Sequence, residues 1–65
     1  MNQRALTIKD LEAAGYEFYR HGTNHDVYRH KTKGWQITVK RHQFDNHDRL
    51  IIQKEIKHNE ERKGG

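Results

Sequence analysis

The stretch WQITVK at residues 35–40 decides the fold, because apolar and polar side chains alternate along its whole length. Its apolar members are Trp35, Ile37 and Val39. Successive side chains of a strand point to opposite faces of a sheet, so these three residues predict a strand with one buried face. A sheet with one apolar face needs helices or another layer on that side only.

Two further strands are predicted upstream of this one. HDVYRH at 25–30 is joined to WQITVK by a hairpin loop at 31–34, in which Gly34 can take a positive φ. YEFYR at 16–20 is rich in aromatic residues and is joined to the second strand by the turn HGTN at 21–24. Three consecutive strands with short connections predict an antiparallel sheet.

One helix is predicted before the sheet and one after it. The first runs from Thr7 to Ala14, with TIKD at 7–10 resembling a capping box and Gly15 at the left-handed position that ends a helix. Residues 1–6 are a frayed lead-in or an early turn of that helix. The second begins after a cap at Asp45 or Asn46 and carries the apolar residues Leu50, Ile51, Ile52 and Ile56.

These elements predict a single α+β domain over residues 1–65, in the order α-β-β-β-α, with both helices on one face of a three-stranded sheet. This is the order of the double-stranded-RNA-binding domain (dsRBD). Residues from about 58 to 65 are expected to form a frayed tail. The predicted core brings Phe18, Val27, Ile37 and Val39 of the sheet against Ile8, Leu11, Ile52 and Ile56 of the helices.

Composition narrows the class of protein. The chain has 65 residues, a formal net charge of +4 and six histidines. A small basic domain suggests a polyanionic partner such as nucleic acid, although a basic solvated surface is the simpler alternative. The absence of cysteine excludes disulfides and thiolate metal sites. No apolar run reaches the roughly 20 residues of a membrane span, and no signal-peptide pattern is seen, so a cytoplasmic protein is expected.

The turn before the second strand is the candidate functional site. A basic pair, Arg20-His21, leads into Gly22-Thr23-Asn24, and His25 follows where the strand begins. A reactive side chain is often presented in this way, on a short turn backed by a rigid strand. The alternative is that His25 only hydrogen-bonds its own turn. If Val27 points into the core, His25 points to the same side unless a bulge at Asn24 resets it.

At these positions the chain resembles the HicA toxins of bacterial type II toxin–antitoxin systems. The resemblance covers nearly the whole chain and rests on the ordered set Gly15-Tyr16, Gly22-Thr23-Asn24-His25, Tyr28-Arg29-His30, Gly34, Ile37-Thr38-Val39, Arg41-His42 and a last helix with paired isoleucines. Two positions depart from the common pattern: Asn24 lengthens the turn, and Lys40 stands where a proline is frequent.

The resemblance implies a metal-independent endoribonuclease that cleaves mRNA, uses no cofactor and is inhibited by a HicB-type antitoxin covering its active site. It places the catalytic histidine at His25. Histidine suits proton transfer because its pKa lies near working pH. His42 is a candidate second proton-transfer group. The predicted RNA-binding residues are Arg20, Gly22, Thr23, Asn24, Lys40 and Arg41, for which turn formation or solvated surface charge is the alternative.

Two other functions fit the same residues. One is an RNA-binding dsRBD-like module without catalysis, and the other is an interaction protein that docks a partner through Leu50 and Ile51. Tyr19 and Tyr28 are left open between base stacking and packing, whereas Trp35 is expected in the core. The histidines lack the accompanying carboxylate spacing of a metal site, so no metal is predicted.

Overall fold

The structure is a computed structural model that describes residues 2–61. Its elements are α1 (Gln3–Ala13), β1 (Tyr16–His21), β2 (His25–His30), β3 (Gln36–Lys40) and α2 (Asn46–Glu60). The strands form one antiparallel sheet in the order β1-β2-β3. The predicted α+β order of helix, three strands and helix is confirmed.

Helix α1 begins earlier than predicted. Asn2 is its N-cap, and the Asn2 side chain accepts a hydrogen bond of 2.7 Å from the backbone N–H of Ala5. Thr7, the predicted cap, lies inside the helix and is fully buried, with its hydroxyl donating to the carbonyl oxygen of Gln3 at 2.7 Å. A threonine hydroxyl can bond to the preceding turn of its own helix as well as cap a new one, and here it does the former.

The predicted end of α1 is confirmed. Gly15 follows the C-cap with φ +95°, a conformation that residues with a Cβ rarely adopt. A Cβ at this position would also lie 2.8 Å from His30 Nε2. The glycine is therefore needed both for the turn and for the close approach of α1 to β2.

Helix α2 begins at the predicted cap. Asp45 accepts a 3.0 Å hydrogen bond from the backbone N–H of Asp48, and Asp48 accepts one of 3.1 Å from the N–H of Asp45. This reciprocal pair is a capping box with aspartate in the third position.

A frayed tail is predicted from about residue 58, and over residues 58–61 this prediction is wrong. Helix α2 continues to Glu60, and Asn59 is buried, with its side-chain N–H₂ donating to Tyr16 Oη at 2.9 Å. A buried polar group with a partner holds this last turn against the start of β1. Residues 62–65 of the predicted tail lie outside the described part of the chain.

The core lies between one face of the sheet and both helices. It consists of Leu11, Tyr16, Tyr28, Ile37, Val39, Ile52 and Ile56, with Ile8 and Trp35 partly buried against it. Two predicted members are wrong. Phe18 is 48% exposed. Val27 is buried, but it pairs with Thr38, whereas Tyr28 pairs with Ile37, so Val27 lies on the opposite face of the sheet from the core.

A β-bulge in β1 determines to which face of the sheet the last residues of β1 point. The register shifts between Phe18 and Arg20, so that Arg20 pairs with Val27 and His21 with Asp26. The irregularity thus lies at Tyr19 and not at Asn24. We use "open face" for the side of the sheet opposite the core, which carries Val27 and Thr38.

Candidate functional site

A tight turn between β1 and β2 presents the candidate site. The backbone N–H of Gly22 donates to the carbonyl oxygen of His25 at 2.6 Å, and Thr23 and Asn24 form the exposed tip. A Cβ on Gly22 would lie 3.1 Å from that same oxygen. A side chain at 22 would therefore crowd the backbone of the turn, so glycine suits this close approach.

Asp26 holds this turn from the core side of the sheet. Its carboxylate is buried and accepts hydrogen bonds from Arg4 Nη2 at 2.5 Å, His21 Nδ1 at 2.7 Å and Arg41 Nε at 3.1 Å. The bond from His21 lowers the pKa of Asp26 most, and Arg4 adds to this, while desolvation acts in the opposite direction. The result is an ionised carboxylate that joins the start of α1, the end of β1 and the end of β3.

The two arginines also donate hydrogen bonds to backbone carbonyl oxygens near the turn. Arg4 Nε donates to the carbonyl oxygen of Lys40 at 2.8 Å. Arg41 Nη2 donates to the carbonyl oxygens of Gly22 and, at 3.4 Å, of His25. Arg41 therefore positions the turn with Nε and Nη2, and its predicted contact with RNA stays a prediction.

His25 and Lys40 face each other across the sheet. They are partners in the β2–β3 register and, by alternation with the inward Asp26 and Val39, both lie on the open face. His25 is exposed. Lys40 Nζ lies 3.1 Å from Asp48 Oδ2, so the ammonium group of the residue opposite His25 pairs with a carboxylate of α2.

A cavity of about 130 Å³ lies at the edge strand β3 and is lined both by residues of the open face and by α2. His25, Thr38 and Lys40 line it from the sheet, and Asp48, Ile51 and Glu55 line it from the helix. It is large enough to hold several water molecules or a group of phosphate size. A second cavity of about 470 Å³ shares Ile51 and Glu55 with it and continues along β3 towards Asn59. Together they form a groove along β3 and α2.

The two carboxylates of the first cavity differ in their electrostatics. Hydrogen bonding to the backbone of Asp45 is the main cause that lowers the pKa of Asp48, and the neighbouring Lys40 adds to it. Desolvation raises the pKa of Glu55, although much of the residue is exposed. Asp48 is thus the poorer proton acceptor of the two.

Comparison of the chain with protein families, curated proteins and solved structures finds no match. Within residues 2–61, no cluster of three or more histidine and carboxylate side chains is arranged to hold a metal ion. Neither helix in that range is long and apolar enough to cross a membrane.

The other predicted site residues are placed as follows. Arg20 is exposed and pairs with Val27 on the open face. His42 is exposed in the loop after β3 and does not line the cavity that contains His25. Of the two alternatives left open for Tyr28, packing is the one observed, because Tyr28 is buried in the core. Tyr19 is 48% exposed, with the Arg29 guanidinium carbon 5.2 Å from its ring centre.

Sequence reasoning missed the residues that support the site. Asp26 lies at an inward position of β2, where a carboxylate needs partners, but the alternation within β2 alone does not tell which set of its residues points inward. Arg4 precedes the predicted helix and so carried no signal. Glu55 reaches the site only because α2 lies beside β3, which the sequence pattern does not specify.

Proposed function

We propose that the protein is a metal-independent endoribonuclease that cleaves mRNA, with His25 as a proton-transfer residue. The observation that carries the proposal is the placement of His25 directly opposite Lys40 on the open face, where both line one cavity. An exposed imidazole and an ammonium group that line one cavity are a suitable arrangement for binding a phosphodiester and transferring a proton to or from it.

RNA supplies its own nucleophile, so this chemistry needs no metal. The 2′-hydroxyl loses a proton and attacks the adjacent phosphorus, the charge on phosphorus is stabilised, and the leaving 5′-oxygen gains a proton. His25 can perform one proton transfer, because imidazole is the side chain that most readily gains and loses a proton near neutral pH. Lys40 can stabilise the charge that develops on the phosphate oxygens. The net charge of +4 favours approach of a polyanion.

The resemblance to HicA toxins extends the proposal to a biological role. The protein would be the toxin of a type II toxin–antitoxin system in the cytoplasm, inhibited by a HicB-type antitoxin. The exposed side chains of Leu50 and Ile51, which are 47% and 44% accessible, support a protein partner on α2. Ile51 also lines the His25 cavity, so a partner bound there would cover the site.

The test is cleavage of an end-labelled single-stranded RNA in EDTA by the wild type, His25→Ala and His47→Ala. His47 is the matched control, since it is exposed on the first turn of α2 and does not line the cavity. We expect the wild type and His47→Ala to cut and His25→Ala to lose at least about 10²-fold in rate. Because His25 is exposed, its variant should keep the wild-type free energy of unfolding within about 0.5 kcal/mol.

Two results would contradict the proposal. Equal cutting by the wild type and a folded His25→Ala variant would exclude the role of His25. Salt-dependent RNA binding by every variant, with cutting by none, would instead identify an RNA-binding module without catalysis.

A further inference from the structure

The cavity that contains His25 also contains a carboxylate from α2. Cleavage through the 2′-hydroxyl requires two proton transfers, and one histidine accounts for only one of them. The residues that line the cavity with His25 include Asp48 and Glu55, whereas His42 does not line it. The candidates for a second proton-transfer group in this cavity therefore come from α2.

We propose that Glu55 is the second catalytic residue: its carboxylate accepts the proton of the RNA 2′-hydroxyl, and His25 donates a proton to the leaving 5′-oxygen. The inference rests on the proposed ribonuclease function and adds to it the base, the acid and their roles. It also places the scissile phosphate in the cavity between β3 and α2, where Lys40 lies.

The helical spacing of α2 explains why Glu55 lines this cavity. Asp48, Ile52 and Glu55 are separated by four and three residues, so they form one stripe along α2. Ile52 is buried in the core and fixes which way that stripe faces. The ion pair between Lys40 and Asp48 fixes the same stripe to the end of β3 at 3.1 Å. Glu55 thus lines the cavity because of contacts made about one and two turns earlier in the helix.

The surroundings of Glu55 suit a general base. Its pKa is raised by desolvation, with the apolar Ile51, Ile52 and Phe44 among the residues that line the same cavity. A carboxylate whose pKa is moved towards working pH is a more effective proton acceptor. The charged and titratable neighbours are His25 and Lys40 from the sheet and Asp48, Lys54 and His58 from α2, which line one or other of the two cavities.

The alternative carboxylate is occupied. Asp48 accepts the N–H of Asp45 in the capping box and pairs with Lys40, and these contacts lower its pKa. Deprotonating a hydroxyl with it would require giving up contacts that position Lys40. We therefore assign Asp48 to positioning and Glu55 to proton transfer.

The step balances without any other reactant. The 2′-oxygen loses its proton to Glu55 and forms a bond to phosphorus. The bond from phosphorus to the 5′-oxygen breaks, and that oxygen takes a proton from the His25 imidazolium. The products are a 2′,3′-cyclic phosphate and a 5′-hydroxyl, and proton exchange with water returns both residues to their starting states.

The first test compares Glu55→Gln with Glu60→Gln, which removes the same charge from an exposed position on the same helix. We expect Glu55→Gln to lose about 10²- to 10⁴-fold in rate with unchanged RNA affinity, and Glu60→Gln to keep the wild-type rate. In the wild type, deprotonation of the Glu55 carboxyl should make the cleavage rate rise with pH on the acidic side. Glu55→Gln should lack this rise.

The second test separates the two roles. In an RNA with sulfur in place of the leaving 5′-oxygen, the thiolate leaves without a proton, because thiols are far more acidic than alcohols. This substrate should restore cutting by His25→Ala but not by Glu55→Gln. It also keeps the inference testable if Glu55→Gln is destabilised, since both substrates are compared on one protein preparation whose folded state is checked by circular dichroism.

The outcomes are distinguishable. Loss in His25→Ala with full activity in Glu55→Gln would overturn the role of Glu55 and leave the proposed function standing. Rescue of Glu55→Gln by the sulfur substrate would reverse the assignment of acid and base and so contradict the inference as stated. No cutting by the wild type would overturn the proposed function and the inference together.

Discussion

Replacing Asp26 by asparagine should destabilise the protein more than any other single carboxylate-to-amide change among residues 2–61. The substitution keeps the shape of the side chain but removes the charge that three donors share. It also turns an N–H₂ group towards donors, because an amide has one accepting oxygen where the carboxylate has two. Asp26 is 8% exposed, so water cannot replace the lost contacts at the carboxylate itself.

The magnitude follows from the exposure of the donors. A hydrogen bond to a charged group contributes about 1.5–3 kcal/mol when it is shielded from water. The side chains of Arg4 and Arg41 are 26% and 33% exposed and regain some hydration when released, and that of His21 is 71% exposed and contributes little. We therefore expect a loss of about 2–4 kcal/mol in the free energy of unfolding, a large part of the total for so small a domain.

The assay is urea unfolding at several pH values, with Asp10→Asn as the comparison. Asp10 joins α1 to α2 through Arg49 Nε at 3.1 Å and Gln53 Nε2 at 3.2 Å, but it is 32% exposed, so its loss should cost only about 0.5–1 kcal/mol. In a thermal melt, each kcal/mol corresponds to about 4–8 °C for a domain of this size.

The pH dependence has a definite sign. Folding lowers the pKa of Asp26, so its stabilising contribution is complete above the unfolded-state value of about 3.9 and is lost as pH falls through the lower folded value. The difference between wild type and Asp26→Asn should therefore be constant near neutral pH and shrink in acid. A difference no larger than that of Asp10→Asn, or one that persists undiminished in strong acid, would refute the reasoning.

Two further substitutions test the packing that holds the helices. Gly15→Ala should lower the free energy of unfolding in urea by about 1–3 kcal/mol, because alanine must take φ +95° and its Cβ would meet His30 Nε2 at 2.8 Å. Gly34→Ala should lower it by less, because φ there is +77° and the nearest atom to the added Cβ is 3.5 Å away. The opposite ranking would contradict the steric argument. Asn59→Ala should cost about 1–3 kcal/mol because it leaves the buried hydroxyl of Tyr16 without its partner. Adding Tyr16→Phe to that variant should cause little further loss, and additive losses would show that the two residues act independently.

The sequence predicted the elements better than the side-chain directions. Alternation at 35–40 identified β3, and Gly15, Gly34 and Asp45 each mark a boundary that the structure confirms. The core assignment is wrong in β2, where Tyr28 and not the predicted Val27 points into the core. Register decides that choice: Tyr28 pairs with Ile37 of the core face, and pairing is a property of two strands.

The geometry of the candidate site was predictable only where it depends on neighbouring residues of the chain. His25 follows from the turn that presents it, and Lys40 from its place at the end of β3. Asp26 needs Arg4 from a part of the chain expected to fray, and Glu55 needs α2 to lie along β3. Asp26 and Arg4 lie 22 positions apart, and Glu55 lies 15 positions after Lys40 of β3. No local pattern in one sequence specifies contacts over such separations.

The position of the buried carboxylate of Asp26 links the stability of the fold to the proposed chemistry. Three polar residues are buried within 2–61, namely Thr7, Asp26 and Asn59. Thr7 bonds within its own helix and Asn59 joins two elements, whereas Asp26 alone joins both ends of the turn that carries His25. A buried ion pair gives little net stability compared with apolar residues of similar size, because desolvation offsets the attraction. A thin core has little margin for such a cost.

We therefore infer that the Asp26 cluster fixes the direction of the turn, so that His25 meets Lys40 on the open face. On that reasoning Asp26→Asn should slow RNA cleavage even at temperatures where the variant is fully folded. Wild-type cleavage rates in the folded variant would confine Asp26 to stability.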